Sequence, residues 1–281
     1  MNNYKLLFTL IFPVILFAGN INLSFGNHHG QSFYIVESAN TQNLRSKLVF
    51  PFNFNSIGLE YNQKFHYFTI GINSSFLLNT TQTEGKDYDW QNNNLTVYSK
   101  SNNKISKYHA IGITLLKALS NNVTLFTKFN YSTLDMYWLN TYQEDYIKNK
   151  NEFISGNTLE FKQKFYKYNL GISYKNTIFK KLSLAFSPSL IYAYINTKDI
   201  HILRDFYTIQ NIKSFGYEVN LNLKYDITTI SSLMISFNYI DINDKNINMD
   251  YYNKLNKNYI SYPSSYSYKD KVLRIHYTYN F

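Results

Sequence analysis

The sequence predicts an all-β fold, a ten-stranded antiparallel transmembrane β-barrel with extracellular loops, and three observations support this. First, the last strand has apolar or aromatic side chains at every odd position, and polar residues lie between them: Leu273, Ile275, Tyr277, Tyr279 and Phe281. Successive strand residues point to opposite faces, so one face is apolar and the other polar. Second, the polar faces suit a water-filled lumen better than a dry sandwich core. Third, no run after residue 26 approaches the roughly 18 apolar residues of a membrane-spanning helix.

The same alternation recurs upstream and defines the other strands. The ten predicted strands lie near 32–41, 47–62, 65–79, 104–118, 123–138, 158–175, 182–198, 207–227, 232–243 and 268–281. Short turns alternate with longer polar loops at 79–103, 139–157 and 244–267. This is the pattern of outer-membrane barrels, in which an even strand number places both chain termini on the periplasmic side. A final strand that ends in Phe281 also resembles the C-terminal signal of such barrels.

The first 26 residues are typical of a secretory signal peptide. Lys5 supplies the positive charge, and residues 6–18 form an apolar stretch that is too short to span a bilayer. Small residues at Ser24 and Gly26 fit a cleavage site after Gly26, and Gly19 is a second candidate. We therefore expect a signal peptide over 1–26 and one barrel domain over 27–281.

The composition agrees with export to the outer membrane. The chain has 28 Tyr, 22 Phe and no Cys, which excludes disulfides, thiolate metal sites and a lipid-modified cysteine. Its net charge of +10 comes from scattered lysines without a nucleic-acid-binding motif. Lysines near the outer rim would face phosphorylated lipopolysaccharide, so we expect an anionic lipid partner and no nucleic acid.

Two short acidic motifs lie at the outer ends of predicted strands. Asp87 and Asp89 follow the third strand, and Asp199 and His201 follow the seventh. Both pairs have the inward parity of the strand that precedes them. Four strand steps in a ten-stranded ring span about 144° of arc, which places the two pairs on opposite sides of the barrel mouth.

An Asp–Asp pair opposite an Asp–His pair is a suitable arrangement for activating water. Asp199 can orient His201, which would take the water proton as a general base. Asp87 and Asp89 would repel each other unless they share a proton or bind the water. Trp90, which follows the first pair, is expected to be a rim aromatic that anchors its loop.

With these motifs in place, the chain resembles the omptins, a family of ten-stranded outer-membrane aspartyl-type proteases. That family carries Asp-x-Asp-Trp in its second outer loop and Asp-x-His in its fourth, as here at 87–90 and 199–201. The segment 160–165 followed by Leu170-Gly171 also resembles the family's sixth strand. The resemblance implies an endopeptidase in which Asp87 and His201 flank the nucleophilic water. Asp89 would pair with Asp87, and Asp199 with His201.

The resemblance also implies a substrate pocket and a lipid site. Thr197 and Asn43 stand where the family has acids that hold a basic substrate side chain, so cleavage beside Arg or Lys is expected to be weaker. Lys162 and Lys164 share the outward face of their strand and would bind the phosphates of lipopolysaccharide. Single histidines and the loop charges Arg204 and Asp205 are expected to have no role in the site.

The sequence therefore predicts a hydrolase of the bacterial outer membrane, with its active site at the extracellular side. We expect a monomer that needs lipopolysaccharide and no metal or other cofactor, with peptides or proteins as substrates. Two alternatives stay open. One is a barrel of this fold without protease activity, acting as an adhesin or structural protein. The other is a small porin, although a narrow lumen filled by Lys128, Glu218, Lys224 and Arg274 argues against bulk transport.

Overall fold

The structure, a computed structural model, describes residues 19–38, 43–253 and 259–281 and is built from antiparallel strands. The strands are β1 (Gly19–Ser38), β2 (Leu44–Lys64), β3 (Thr69–Thr81), β4 (Thr83–Gln91), β5 (Asn94–Ala118), β6 (Val123–Asp145), β7 (Lys150–Phe179), β8 (Leu182–His201), β9 (Phe206–Asp226), β10 (Ser231–Asn253) and β11 (Tyr259–Asn280). No helix among the described residues is long and apolar enough to cross a membrane.

The sheet closes into a ring with ten strand positions. Consecutive strands pair as hairpins, and β1 also pairs with β11, from Asn20 opposite Asn280 to Val36 opposite Ser264. β3 and β4 lie end to end, because both pair with β2 on one side and with β5 on the other. The eleven strands therefore fill ten positions, which confirms the predicted transmembrane β-barrel.

The strands are longer than the sequence predicted, and most of the predicted loop residues belong to them. The loop predicted at 79–103 contains β4 and the start of β5, and those at 139–157 and 244–267 are largely paired extensions of neighbouring strands. These segments lie beyond the apolar band, and their inward side chains are often polar even where they are buried, as at Ser101 and Thr141. They therefore lack the one-sided apolar pattern that predicts a strand.

The predicted first strand at 32–41 was wrong, because β1 begins at Gly19. Residues 19–26 pair with both β2 and β11, so they complete the wall where the ring closes. Cleavage after Gly26 would remove this part of the strand, whereas the alternative site at Gly19 would keep almost all of it. Residues 1–18 of the predicted signal peptide lie outside the described residues, and the cleavage site stays a prediction.

An apolar band surrounds the end of the barrel that carries Gly19 and Phe281, called here the terminal end. Large aliphatic side chains are exposed there, as with Leu23 (51%), Leu59 (53%) and Leu190 (70%). Further along the same strands, the outward positions become polar, as at Asn27 on β1 and Asn55 on β2. The band is the lipid-facing surface of a transmembrane barrel. The opposite end, called here the hairpin end, extends beyond it.

Aromatic side chains fill the middle of the lumen. We call them the aromatic layer, and they include Phe50, Phe52, Phe54, Phe161, Phe165 and Tyr268, all nearly buried. Phe50 and Phe161 stack at 4.0 Å, and Phe50 also contacts the Trp138 ring at 4.9 Å. Gly85 in β4 makes room for Trp138, since a Cβ atom there would lie 2.4 Å from the indole. The layer separates a cavity at the hairpin end from a polar cavity near the terminal end.

Candidate active site

Strand β4 carries Asp87 and Asp89 into the barrel interior near the hairpin end. A two-residue turn joins β4 to β5, and both of its residues, Asn92 and Asn93, have positive φ values (51° and 65°). This turn type keeps the right-handed twist of a hairpin, and Asn tolerates its backbone conformation better than most residues. The acidic motif therefore lies on a paired strand, where Asp87 is opposite Leu48 and Asp89 is opposite Ser46 of β2.

Asp199 and His201 lie at the end of β8 next to its hairpin with β9. Asp199 is buried, with 1% of its surface exposed, and its Oδ2 is 3.4 Å from Nε2 of His201. The His201 ring also stacks on Phe206, the first residue of β9, with ring centres 4.0 Å apart. The aromatic contact and the carboxylate together hold the imidazole at the edge of the interior.

A cavity of about 510 Å³ brings the two motifs together. Asp87, Asp89 and His201 all line it, although they come from strands on different sides of the ring. Asp199 lies behind His201 and is buried beside the cavity. The inward orientation of all four residues and their approach to one another agree with the geometry expected from the sequence.

The charges around Asp87 act on its protonation. Burial raises the pKa of the Asp87 carboxyl well above its ordinary value, and the charges of Asp89 and Asp199 raise it further. The charge of Arg204 opposes this increase, as does a hydrogen bond that Ser46 Oγ donates to Asp87 Oδ1 at 3.4 Å. The Asp87 carboxyl thus retains its proton to higher pH than an isolated carboxyl would.

Two residues near these groups were missed by the sequence analysis. Tyr34 on β1 is buried and its hydroxyl donates a hydrogen bond to Asp199 Oδ2. Arg204, which was expected to be a solvated loop charge, lines the cavity. The alternation of β1 could have indicated that Tyr34 faces the lumen, but not that it meets Asp199. Arg204 lies in the turn between β8 and β9. Strand alternation does not predict where the side chain of a turn residue points, so it could not show that Arg204 lines the cavity.

The predicted pocket residues lie in different places. Thr197 is buried one inward position below Asp199 and donates a hydrogen bond to Gln210 Oε1 at 3.1 Å. Asn43 is exposed at the start of β2 with a φ of 42°, and it is not among the described residues that line the cavity. The role expected of Asn43 in a substrate pocket stays a prediction, whereas Tyr34 of β1 is the residue that contacts Asp199.

The remaining predicted residues lie on the outer surface. Lys162 and Lys164 point outward from β7, beyond the apolar band, and Lys162 Nζ is 3.0 Å from Glu160 Oε2. Trp90 lies at the edge of the cavity, where it stacks on Tyr88 with ring centres 5.7 Å apart.

Among the described residues, no group of three or more His, Cys, Asp or Glu is arranged to hold a metal ion.

Comparisons with known proteins add a fold relationship. The structure is similar to the outer membrane protease OmpT of Escherichia coli, with a TM-score of 0.80 and 16% sequence identity over 94% of this chain and 97% of that one. OprG of Pseudomonas aeruginosa has a TM-score of 0.42 at 12% identity, covering 94% of this chain and 96% of its own. The translocator domain of the autotransporter NalP from Neisseria meningitidis reaches 0.41 at 9% identity, covering 99% and 96%. With TM-scores below 0.5, these two likenesses are too weak to support an inference about this chain.

No protein-family model matches the sequence, and no curated protein matches it. The likeness to OmpT therefore shows the fold: the chain is an antiparallel β-barrel of the omptin type.

Proposed function

We propose that the protein is an outer-membrane endopeptidase that hydrolyses peptide bonds with a water molecule activated by Asp and His side chains. The observation that carries this proposal is the meeting of Asp87, Asp89 and His201 around one cavity, with Asp199 3.4 Å from His201. The fold of an outer membrane protease supports it. The cavity is at the hairpin end, which in outer-membrane barrels faces the extracellular side.

In the proposed mechanism, water binds between Asp87 and His201. His201 accepts a proton from this water through the ring nitrogen that is turned away from Asp199, and the water oxygen attacks the carbonyl carbon of the substrate. The carbon–nitrogen bond then breaks, and His201 returns the proton to the leaving amine. Asp199 stabilises the imidazolium, and the proton shared by Asp87 and Asp89 keeps this pair oriented toward the water.

Transport of solutes through the lumen is a poorer candidate function. The aromatic layer lies across the interior, with Phe50 and Phe161 stacked at 4.0 Å. Below it, Glu218 is 3.5 Å from Lys128 Nζ and accepts hydrogen bonds from Asn169, Asn220 and Asn238. A lumen so filled with paired side chains argues against a passive channel.

A peptide library tests the proposed activity. Refolded barrel with lipopolysaccharide is incubated with mixed peptides, and the products are identified by mass spectrometry. We expect cleavage by the natural sequence and a rate reduced about 10²- to 10⁴-fold by Asp87→Ala. His66→Ala, which changes a turn at the other end of the barrel, is the control and should cleave normally. Absence of cleavage by the folded natural protein would favour the adhesin or structural alternative.

We also propose that lipopolysaccharide binds the outer surface at Lys162 and Lys164, where two exposed lysines flank the polar side of the apolar band. Since all four proposed catalytic residues come from one chain, the active unit is a monomer. The double variant Lys162→Gln, Lys164→Gln should need several-fold more lipopolysaccharide for half-maximal cleavage. An unchanged requirement would place the lipid elsewhere.

A further inference from the structure

The wall of the cavity is largely apolar around its acidic residues. It includes the side chains of Leu48, Trp90, Val97, Phe206, Met249 and Tyr251. The aromatic surface is continuous with the proposed catalytic group, since Phe206 contacts both His201 and Tyr251, with ring centres 4.0 Å and 4.5 Å away. A substrate side chain beside His201 would therefore contact aromatic and aliphatic groups.

Apart from Asp199, the polar residues beneath this wall are neutral and hydrogen-bonded to one another. Thr197 donates to Gln210, and Gln163 donates to Tyr266 OH at 2.7 Å. The Oδ2 atom of Asp199 accepts a hydrogen bond from Tyr34 and lies 3.4 Å from His201 Nε2. A substrate guanidinium placed there would compete with Tyr34 and His201 for Asp199 and would disturb the proposed catalytic pair.

The positive charges of the cavity come from two arginines of the protein. Arg204 lines the cavity and its charge acts on Asp87. Arg45 also lines it, lies over the Trp90 ring at 5.3 Å and has Nε 3.8 Å from Glu37 Oε1. Arg204 shares the cavity with Asp87 and Asp89, and its own side chain is exposed. Because like charges repel, a second cation is disfavoured and an anion is favoured on this exposed side of the cavity.

From this arrangement we infer that the cavity selects a peptide segment with a large apolar or aromatic residue beside an acidic one, and that Arg204 determines the preference for the acid. The inference rests on the proposed function, because it concerns the substrate of the same site. The apolar residue would occupy the wall formed with Phe206 and Tyr251, and the acidic residue would pair with the Arg204 guanidinium. Dibasic segments would fit poorly.

Four quenched fluorescent peptides test this inference. They share one scaffold and differ only at two central positions, which hold Phe-Asp, Phe-Asn, Ala-Asp or Arg-Arg. The refolded full chain with lipopolysaccharide should cleave Phe-Asp with a kcat/KM about 10- to 100-fold above those of Ala-Asp and Arg-Arg, as expected for burial of one large apolar side chain. If Arg-Arg is cleaved as well as or better than Phe-Asp, the inference is wrong and the proposed activity still stands.

Variants separate the role of Arg204 from its effect on Asp87. Arg204→Gln should lower the ratio of Phe-Asp to Phe-Asn cleavage about tenfold, since any change in the catalytic groups affects both peptides equally. Lys148→Gln removes an exposed hairpin cation and should leave the ratio unchanged. An unchanged ratio in Arg204→Gln would contradict the role given to Arg204.

A binding measurement covers the case in which no peptide is cleaved. Fluorescence anisotropy of the same peptides on His201→Ala compares their affinities without turnover. Tighter binding of Phe-Asp than of Arg-Arg supports the inference, and the reverse order overturns it. Absence of cleavage by the natural sequence would instead count against the proposed function.

Discussion

Two Asp–His pairs lie in this barrel on opposite sides of the aromatic layer, and their surroundings differ. His201 lines an open cavity, contacts Asp199 at 3.4 Å and keeps 14% of its side chain exposed. His28, near the terminal end, is 2% exposed, and its Nδ1 is 3.0 Å from Asp270 Oδ2. The same two residue types therefore occur twice. The His201 ring lies partly exposed at the edge of the hairpin-end cavity, and the His28 ring lies almost fully buried beside the polar cavity.

The partners of the two histidines explain what each pair can do. Both ring nitrogens of His28 are engaged, because Nε2 is 3.1 Å from Ser56 Oγ, and the ring stacks on Phe54 at 4.2 Å. His201 has a carboxylate on one side and shares its cavity with Asp87 and Asp89. An Asp–His pair can activate water only where one ring nitrogen reaches the reacting atoms. We therefore propose that the His201 pair is catalytic and that the His28 pair contributes to stability.

The largest expected effect separates the two histidines directly. His201→Ala should reduce the cleavage rate of the folded protein about 10²- to 10⁴-fold, because it removes the general base. Its unfolding midpoint in urea should stay near that of the natural sequence, since the ring lies at the edge of the interior. A folded His201→Ala barrel with normal cleavage would contradict this assignment.

His28→Ala should show the opposite behaviour. The substitution leaves the buried Asp270 with one hydrogen-bond partner fewer, and losing a hydrogen bond to a charged group costs about 1.5–3 kcal/mol in the free energy of unfolding. Cleavage per folded molecule should be unchanged. Urea unfolding in detergent, followed by heat-dependent migration on gels, measures the stability. A loss of activity at full stability would show that the two pairs had been assigned to the wrong roles.

A substitution at Thr197 tests what the neutral residues beneath the cavity wall contribute to substrate choice. Thr197→Asp places a carboxylate one inward position below Asp199 and should increase kcat/KM for Arg-Arg peptides about tenfold, because a partly desolvated opposite charge attracts the guanidinium. The control is Thr197→Asn, which should leave the preference unchanged. The same increase in both variants would mean that charge is not the cause.

Tyr34→Phe tests the hydrogen bond that holds Asp199. The variant keeps the ring and removes only the hydroxyl that donates to Asp199. A hydrogen bond to a charged group contributes about 1.5–3 kcal/mol, so kcat should fall about tenfold while KM changes little. A change confined to KM would indicate that Tyr34 contacts substrate and does not position Asp199.

The smallest expected effect is the pH dependence that Asp87 gives to the free energy of unfolding. Burial raises the pKa of this carboxyl in the folded state above its value in the unfolded chain. The folded state then binds the proton more tightly, so its stability falls as pH rises from the unfolded pKa through the folded pKa. Asp87→Asn should remove this dependence and be more stable at neutral pH, by about 1.4 kcal/mol for each pH unit of the shift. If the free energy of unfolding depends on pH in the same way in the natural sequence and in Asp87→Asn, the pKa of Asp87 is not raised by folding.

Much of the site could be predicted from sequence because strand parity is a local property. The inward orientation of Asp199 follows from the alternation in β8. That of Asp87 does not follow from β3 alone, because an irregularity after Leu77 interrupts the alternation and a second break between β3 and β4 restores the predicted parity. The ring of ten positions brings Asp87 and His201 to one cavity. The contact of Tyr34 with Asp199 could not be predicted, since it depends on the register of β1 with β2 and β11. Those pairings join residues that are far apart in the chain.

The hairpin extensions were missed for a different reason. Segments such as β4 are polar on both faces and are stabilised by ladder hydrogen bonds and by a turn at Asn92 and Asn93, so they have no apolar face to reveal them. The Asn run could have indicated a two-residue turn. The role of Arg204 depends on how the β8–β9 turn folds over the cavity, which no local pattern determines.

The proposed mechanism requires Asp87 and His201 to act on the same water molecule. Single-turnover cleavage of one susceptible peptide by Asp87→Ala, His201→Ala and the double variant measures this. Groups that act as a unit are strongly non-additive, so the double variant should be about as slow as the slower single variant. Losses that multiply would show two independent contributions, and they would contradict a shared water between the two sides of the cavity.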